Sequence, residues 1–240
     1  MTGFEIASSD HLEIGPILNR SISTLKGNPV FFLGLAALVT VPGGILQALG
    51  LQSMPLFVNF FLGVLAQGAI AYGVFRGFHD QEASFGEALS HTLGRFAPLV
   101  IAALLLGLGI GLGLVLLVIP GVILACAGLV TIQACAVEGL GTMDSLKRSL
   151  ELTKGHRLRI FALMFVAGLV FALGAVLAGV LIGLAAVLPG PIGYIAGPVV
   201  GLVFSGLWTA FLNILITIVY CDLRSIKEGL AIESLAHVFD

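Results

Sequence analysis

The stretch FAPLVIAALLLGLGIGLGLVLLVIPGVILACAGLVTIQACAV, residues 96–137, contains no Asp, Glu, Lys, Arg or His. Residues 27–75 and 160–221 are free of these residue types as well, and every charged residue of the chain lies outside the three stretches. A charged side chain at the centre of a bilayer costs about 2.5–3.5 kcal/mol on insertion scales. We therefore interpret the three charge-free stretches as segments that lie in lipid.

The composition agrees with this interpretation. Only 10% of the 240 residues are charged, against about 25% in a typical soluble domain. We predict an all-α integral membrane protein that forms a single membrane domain over residues 1–240. The net charge of −2 gives no reason to expect a nucleic-acid partner. The first apolar run begins near Pro29 behind a polar leader, so we expect it to be retained as a membrane helix.

Each charge-free stretch is long enough for two membrane crossings, because one crossing of ~30 Å needs about 20 helical residues. Turn signals rich in Pro and Gly punctuate the stretches, at residues 41–44, 52–55, 119–121 and 188–191. We predict six transmembrane helices in three hairpins, near residues 30–50, 56–75, 97–117, 121–137, 160–182 and 198–221. Residues 183–198 are apolar but full of helix breakers, and we expect an interfacial loop or a re-entrant segment there.

The basic residues indicate the orientation. All eleven Lys and Arg residues lie in the N-terminal segment, the second and fourth loops, and the C-terminal segment. The excess of Lys and Arg on the cytoplasmic side of membrane proteins predicts that both termini and both charged loops are cytoplasmic.

A short amphipathic stretch precedes each predicted hairpin. The apolar stripes of these stretches consist of Ile14, Leu18, Ile22 and Leu25, then Phe85, Leu89, Thr92 and Phe96, then Met143, Leu146 and Leu150. Ser84 and Glu87 have the spacing of a helix capping box. We expect each stretch to be a helix lying in the headgroup region, although the ends of long helices or simple connectors would give a similar pattern.

The hairpins also end alike. Residues 72–76 and 220–224 share the pattern Tyr-x-x-apolar-Arg, and residues 134–138 occupy the corresponding place in the middle hairpin. We infer three parallel repeats related by an axis near the membrane normal. Their predicted bounds are residues 11–75, 84–137 and 142–221, with a cytoplasmic tail at 222–240.

Small residues in the apolar stretches indicate close helix packing. Gly107 and Gly111, and likewise Gly179 and Gly183, have the Gly-xxx-Gly spacing that lets helix backbones approach in lipid. The sequence leaves open whether these contacts are internal or made with a partner. Trp208 and Asn213 are candidates for a polar groove that contacts a lipid headgroup, although polar side chains in membrane helices more often bond neighbouring helices.

The most basic loop carries five positive side chains, and we expect it to contact anionic lipid headgroups or to dock a partner protein. Its basic residues are Lys147, Arg148, Lys154, Arg157 and Arg159.

The charge-free stretches hold none of the ionisable residues that mark pumps and ion-coupled transporters, and no constellation of acid, base and nucleophile is visible. His79, Asp80 and Glu82 do not have the spacing of a zinc site and are interpreted as a solvated loop. We predict no catalytic residue, no metal site and no cofactor.

The segment VYCDLRSIKEGL, residues 219–230, together with the amphipathic stretches and the Pro-Gly turns, resembles a bacterial family. The family comprises the membrane domain attached to some glycerophosphodiester phosphodiesterases and related stand-alone inner-membrane proteins. The resemblance implies a bacterial inner-membrane location and this fold. It transfers no catalytic residue, because the phosphodiesterase reaction would need a soluble metal-binding domain.

The function predicted from these features is that of a non-enzymatic accessory or scaffold subunit of a membrane protein complex. Its expected partners are membrane lipids and other integral membrane proteins, and no nucleic acid. The alternative is a transporter or scramblase for a lipid or another amphiphile, with a groove near residues 183–198.

Overall fold

The computed structural model of the protein describes residues 12–51, 53–78, 81, 83–187 and 191–228. All regular elements in this part of the chain are α-helices. In chain order they are α1 Ile14–Gly27, α2 Pro29–Ala48, α3 Met54–Gly77, α4 Phe85–Leu93, α5 Phe96–Leu116, α6 Val118–Ala127, α7 Thr131–Glu138, α8 Thr142–Thr153, α9 Arg157–Ala186 and α10 Pro191–Glu228. The segment with His79, Asp80 and Glu82, and the last twelve residues of the expected tail, lie outside the described residues.

Six helical segments of the described chain are long and apolar enough to cross a membrane. They comprise α2, α3, α5, the α6–α7 pair, α9 and α10. The predicted all-α fold with six apolar membrane segments is therefore confirmed at this level. Helices that follow one another in the sequence pack together as α2 with α3, α5 with α6, and α9 with α10.

The buried core surrounds the C-terminal half of α10. Ile214, Leu215, Ile218, Tyr220 and Leu223 are fully buried there, and α10 contacts α1, α2, α3, α7, α8 and α9. The C-terminal half of α5, the first turn of α6 and the C-terminal half of α9 expose mostly large apolar side chains. Such exposure suits contact with lipid tails, which are as apolar as these side chains.

Two helix starts follow directly from the local sequence. The side chain of Asn28 accepts a hydrogen bond of 3.2 Å from the Phe31 backbone N–H, and Pro29 occupies the first helical position of α2. Proline is favoured there because its missing N–H would have no partner in the helix. At α4, Ser84 and Glu87 form the predicted capping box, with two reciprocal hydrogen bonds of 3.2 Å.

The fourth membrane segment is broken, which the sequence analysis did not predict. α6 ends at Ala127, and residues 128–130 form a turn before α7. The carbonyl oxygen of Ala127 accepts hydrogen bonds from the hydroxyl groups of Ser149 and Thr153 on α8, at 2.8 and 3.2 Å. Backbone groups freed by a helix break in lipid need such partners, so α8 stabilises the interruption.

The expectation of irregular structure at residues 183–198 is wrong for most of that segment. α9 continues to Ala186, and α10 begins at Pro191 and passes through Pro198. The two helices have 30 and 38 residues, or about 45 and 57 Å at 1.5 Å per residue. Proline is compatible with the first turn of a helix, and membrane helices tolerate an internal proline.

Two further boundaries differ from the prediction. The expected turn at residues 41–44 lies inside α2, which continues through Pro42. The expected tail does not begin at residue 222, because α10 runs on to Glu228 and Asp222, Leu223 and Arg224 are buried. Asp222 and Arg224 can lie in the core because ion pairs satisfy their charges, as described next.

Candidate functional site

A network of charged and phenolic side chains holds one end of the helix bundle together. Arg148 of α8 donates from Nε to both carboxylate oxygens of Glu138 at 3.1 Å, and it donates from Nη2 to Glu228 of α10. The Tyr220 hydroxyl donates to Glu138 at 2.7 Å, and Arg224 Nε donates to Glu228 at 3.0 Å. These five residues, here called the polar clamp, connect α7, α8 and α10.

A second ion pair fastens the N-terminal helix to the same end of α10. Arg20 of α1 contacts both carboxylate oxygens of Asp222, with a distance of 2.9 Å from Nη1 to Oδ1. The side chains are only 14% and 5% exposed. A two-point contact of this kind fixes the geometry of both partners, so α1 is tied to α10 in one orientation.

Helices α3 and α4 carry a related cluster. Arg76 donates to the Tyr72 hydroxyl at 2.9 Å and lies 3.9 Å from a Glu87 oxygen. The Tyr72 ring stacks on His91 with ring centres 4.5 Å apart, and His91 Nε2 lies 3.2 Å from the Ala136 carbonyl oxygen. α4 is thereby connected to both α3 and α7.

The two hairpin ends that share the pattern Tyr-x-x-apolar-Arg also share a side-chain arrangement. In each, the arginine donates to the tyrosine hydroxyl one turn earlier and meets a glutamate: Arg76 with Tyr72, and Arg224 with Tyr220. At the corresponding place in the middle segment Glu138 supplies the opposite charge and joins the polar clamp. The sequence pattern thus located the tyrosine–arginine pairs but not their acidic partners, of which Glu138 is 82 positions from Tyr220.

The five basic residues expected at the membrane surface do not behave alike. Lys147, Lys154 and Arg159 are exposed, and Arg157 is half-buried. Arg148 is the exception, because its guanidinium belongs to the polar clamp. The prediction that Arg148 contacts a headgroup or a partner therefore needs correction, since Glu138 and Glu228 already bind its charged group.

α8 presents Met143 and Leu150 outward, whereas its small polar residues and Leu152 face inward. Ser145, Ser149 and Thr153 are fully buried, whereas Met143 and Leu150 are 60% and 39% exposed. The expected apolar stripe of this helix exists, but most of it faces away from the protein. The inward face is polar because it supplies hydrogen bonds to α6 and contacts to the polar clamp.

The four predicted packing glycines make no close contact within the described protein. A Cβ atom built on Gly107, Gly111, Gly179 or Gly183 would meet no atom within 4 Å. The close approach of α5 to α6 occurs instead at Gly113, where a Cβ would lie 2.8 Å from the Gly121 Cα. With respect to the described residues, these four glycines therefore serve no close internal packing, which favours contact with a partner over internal contact.

This difference between neighbouring glycines gives a testable prediction. We expect Gly113→Leu to lower the free energy of unfolding by about 1–3 kcal/mol, because the α6 backbone cannot accommodate the added atoms. Gly111→Leu is the matched control on the opposite face of α5, and we expect a change within about 0.5 kcal/mol. Thermal unfolding in detergent measures both. Equal stability of the two variants would contradict the backbone contact at Gly113.

The structure places Trp208 and Asn213, the residues predicted for a polar groove, on α10. Trp208 packs among aromatic rings, with centres 4.8 Å from Phe171 and 5.8 Å from Phe211. The Asn213 amide donates to the Thr209 carbonyl of its own helix at 2.7 Å. Trp208 therefore packs between α9 and α10, whereas the hydrogen bond of Asn213 stays within α10.

Within the described residues no three His, Cys, Asp or Glu side chains come together as a metal site. Cys126, Cys135 and Cys221 are buried free thiols. Five ion pairs join charged groups of the described residues, and four of them link different helices, an arrangement that fixes these helices relative to one another.

Comparison with known families gives one match. The family described as Domain of unknown function (DUF7847) matches residues 53–223, and the chain belongs to this family. The match contains no link to glycerophosphodiester phosphodiesterases. Comparisons with curated proteins and with solved structures gave no match.

Proposed function

We propose that this member of the DUF7847 family is a non-enzymatic accessory or scaffold subunit of a membrane protein complex. The described part of the protein has six helical segments suited to crossing a membrane, and four ion pairs fix helices relative to one another. Other integral membrane proteins and membrane lipids are the proposed partners.

The observation that carries the proposal is the open glycine face of α5. Gly107 and Gly111 are exposed, one turn apart, with no atom of the described protein near either Cβ position. Glycines at this spacing let a second helix backbone approach closely in lipid. Gly179 and Gly183 form a similar open face on α9, so that two separate membrane helices could be held.

The proposed architecture is three hairpins, α2–α3, α5–α6/α7 and α9–α10, each entered through a helix in the membrane interface. The contacts between successive helices support the hairpins, and α1, α4 and α8 occupy the entry positions. All eleven Lys and Arg residues lie outside the three charge-free stretches, and this distribution favours a cytoplasmic location of the end of the bundle that carries them. A bacterial inner membrane is the proposed location.

The test is recovery of a partner that depends on the open glycine face. The tagged full-length protein is extracted from its native membrane in mild detergent, and co-purified membrane proteins are quantified. We expect Gly107→Leu with Gly111→Leu to lower recovery of a stoichiometric partner about tenfold, which corresponds to 1.4 kcal/mol of association energy. Gly63→Leu on α3 is the control, because a Cβ there also meets no atom within 4 Å.

Two results would contradict a scaffold role. One is a double variant that retains its partner fully while its thermal stability is unchanged. The other is translocation of labelled lipid by the purified protein reconstituted alone into liposomes, which would favour the transporter or scramblase. Trp208 packs among aromatic rings and Asn213 bonds within its own helix, and these contacts give that alternative less support than the sequence offered.

A further inference from the structure

The outward face of α8 carries alternating apolar and basic residues. Met143, Lys147, Leu150 and Lys154 follow one another at spacings of four, three and four residues, which places them on one side of a helix. All four are exposed, and Lys154 comes directly after the last residue of α8. The stripe therefore presents two apolar groups and two ammonium groups to the surroundings.

The orientation of this stripe is fixed from within the protein. Ser149 and Thr153, on the opposite face of α8, donate to the Ala127 carbonyl oxygen. Arg148 contacts Glu138 and Glu228 on two other helices. Rotation of α8 to bury its apolar residues would break these contacts, so the helix holds Met143 and Leu150 outward.

Such a helix would be poorly suited to water on its outer side. An amphipathic helix on a water-facing surface buries its apolar stripe, whereas α8 exposes Met143 and Leu150 beside its charged residues. In the interface of a bilayer the same arrangement is favourable, because apolar side chains enter the acyl region and lysines extend along them towards the phosphates.

The first turns of α9 follow α8 in the chain after three residues and carry exposed side chains as well. Leu158 is 81% exposed, and Phe161 and Arg159 are exposed beside it. The acidic residues of the same region, Asp144 and Glu151, lie on the flank of α8 rather than in its outward stripe. Basic groups therefore outnumber acidic ones along the surface, and Arg148 is excluded because its charge is already paired.

We propose that the outward stripe of α8 and the first turn of α9 form a binding surface for anionic phospholipid headgroups. Lys147, Lys154 and Arg159 contact the phosphate groups, while Met143 and Leu150 enter the upper acyl region. Charge complementarity selects an anionic lipid over a zwitterionic one. The proposal does not depend on the scaffold role, because lipid selectivity is measured on the protein alone.

The first test measures lipid selectivity in reconstituted membranes. The full-length protein is placed in phosphatidylcholine bilayers with traces of spin-labelled phosphatidylglycerol or phosphatidylcholine, and the immobilised fraction of each probe is compared. We expect the triple variant Lys147→Gln, Lys154→Gln, Arg159→Gln to bind phosphatidylglycerol with a preference at least about fivefold lower. A loss of about fivefold is the effect expected from removing one basic residue near anionic headgroups, so it is the lower bound for removing three. We also expect 1 M salt to reduce the preference of the unmodified protein.

The control variant replaces two exposed lysines that lie outside the stripe, Lys26 and Lys227. Lys26→Gln with Lys227→Gln should retain the preference. An unchanged preference in the triple variant, or an equal loss in the control, would refute a specific surface on α8 and α9.

A second measurement uses the apolar part of the stripe and leaves the charges in place. Single cysteines at positions 143 and 150 carry a nitroxide label, and the three native cysteines are buried. We expect labels at 143 and 150 to be relaxed more strongly by oxygen, which concentrates in the bilayer, than by a water-soluble nickel complex. Labels at Asp144 and Glu151 should show the opposite preference. Water-like accessibility at all four positions would overturn the proposal.

Discussion

Replacement of Asp222 by leucine is expected to lower the free energy of unfolding by about 3–5 kcal/mol, the usual cost of removing one partner of a buried ion pair. The Asp222 side chain is 5% exposed, and both of its oxygens contact Arg20. Without the carboxylate, the Arg20 guanidinium would remain in a largely buried position without its partner. Thermal unfolding of the purified protein in detergent, followed by circular dichroism, measures the loss.

Two comparisons make this test specific. Asp144→Leu removes an exposed carboxylate from α8, and we expect a change within about 0.5 kcal/mol. The double variant Arg20→Met, Asp222→Leu should recover part of the lost stability, because a buried ion pair can be replaced by apolar side chains without loss. If Asp222→Leu unfolds at the same temperature as the unmodified protein, the pair does not hold α1 to α10.

Replacement of Arg148 by methionine is expected to cost about 3 kcal/mol, at the upper end of the range for hydrogen bonds to charged groups. The substitution removes contacts to Glu138 and Glu228 together and leaves two carboxylates close to each other in the polar clamp. Lys147→Met, one residue earlier and on the outward face, should change stability by no more than about 0.5 kcal/mol.

A double-mutant cycle assigns the Arg148 effect to its partner. Arg148→Met and Glu138→Gln should be less than additive, with a coupling energy of about 1–3 kcal/mol, because both variants remove the same contact. Additive losses would show that Arg148 contributes through something other than Glu138. Equal stability of the Arg148 and Lys147 variants would contradict the polar clamp.

The sequence predicted the membrane segments more reliably than their ends. Absence of charge marks the length of chain that can lie in lipid, but it does not mark where a helix stops. Pro42 and Pro198 look like turn signals in the sequence, yet both lie inside helices. Conversely, the break at residues 128–130 has weak local signals, since hydroxyl groups of α8 stabilise it from outside the segment.

The candidate site was predictable only in part. The Tyr-x-x-apolar-Arg pattern identified Tyr72 with Arg76 and Tyr220 with Arg224, because residues four apart in a helix are neighbours. The sequence could not separate Arg148 from Lys147, which differ by one position and therefore by about 100° around the helix axis. It could not separate Gly111 from Gly113 for the same reason.

The sequence by itself determined that the chain is helical and has six segments suited to lipid, because hydrocarbon excludes charge and requires internally bonded backbone. The tertiary structure decided which charged groups form ion pairs between helices and which remain at the surface. Arg20 and Asp222 stand 202 positions apart, and no local pattern specifies such a pair. Their partnership depends on how the helices are rotated and packed, which is set by the whole buried core at once.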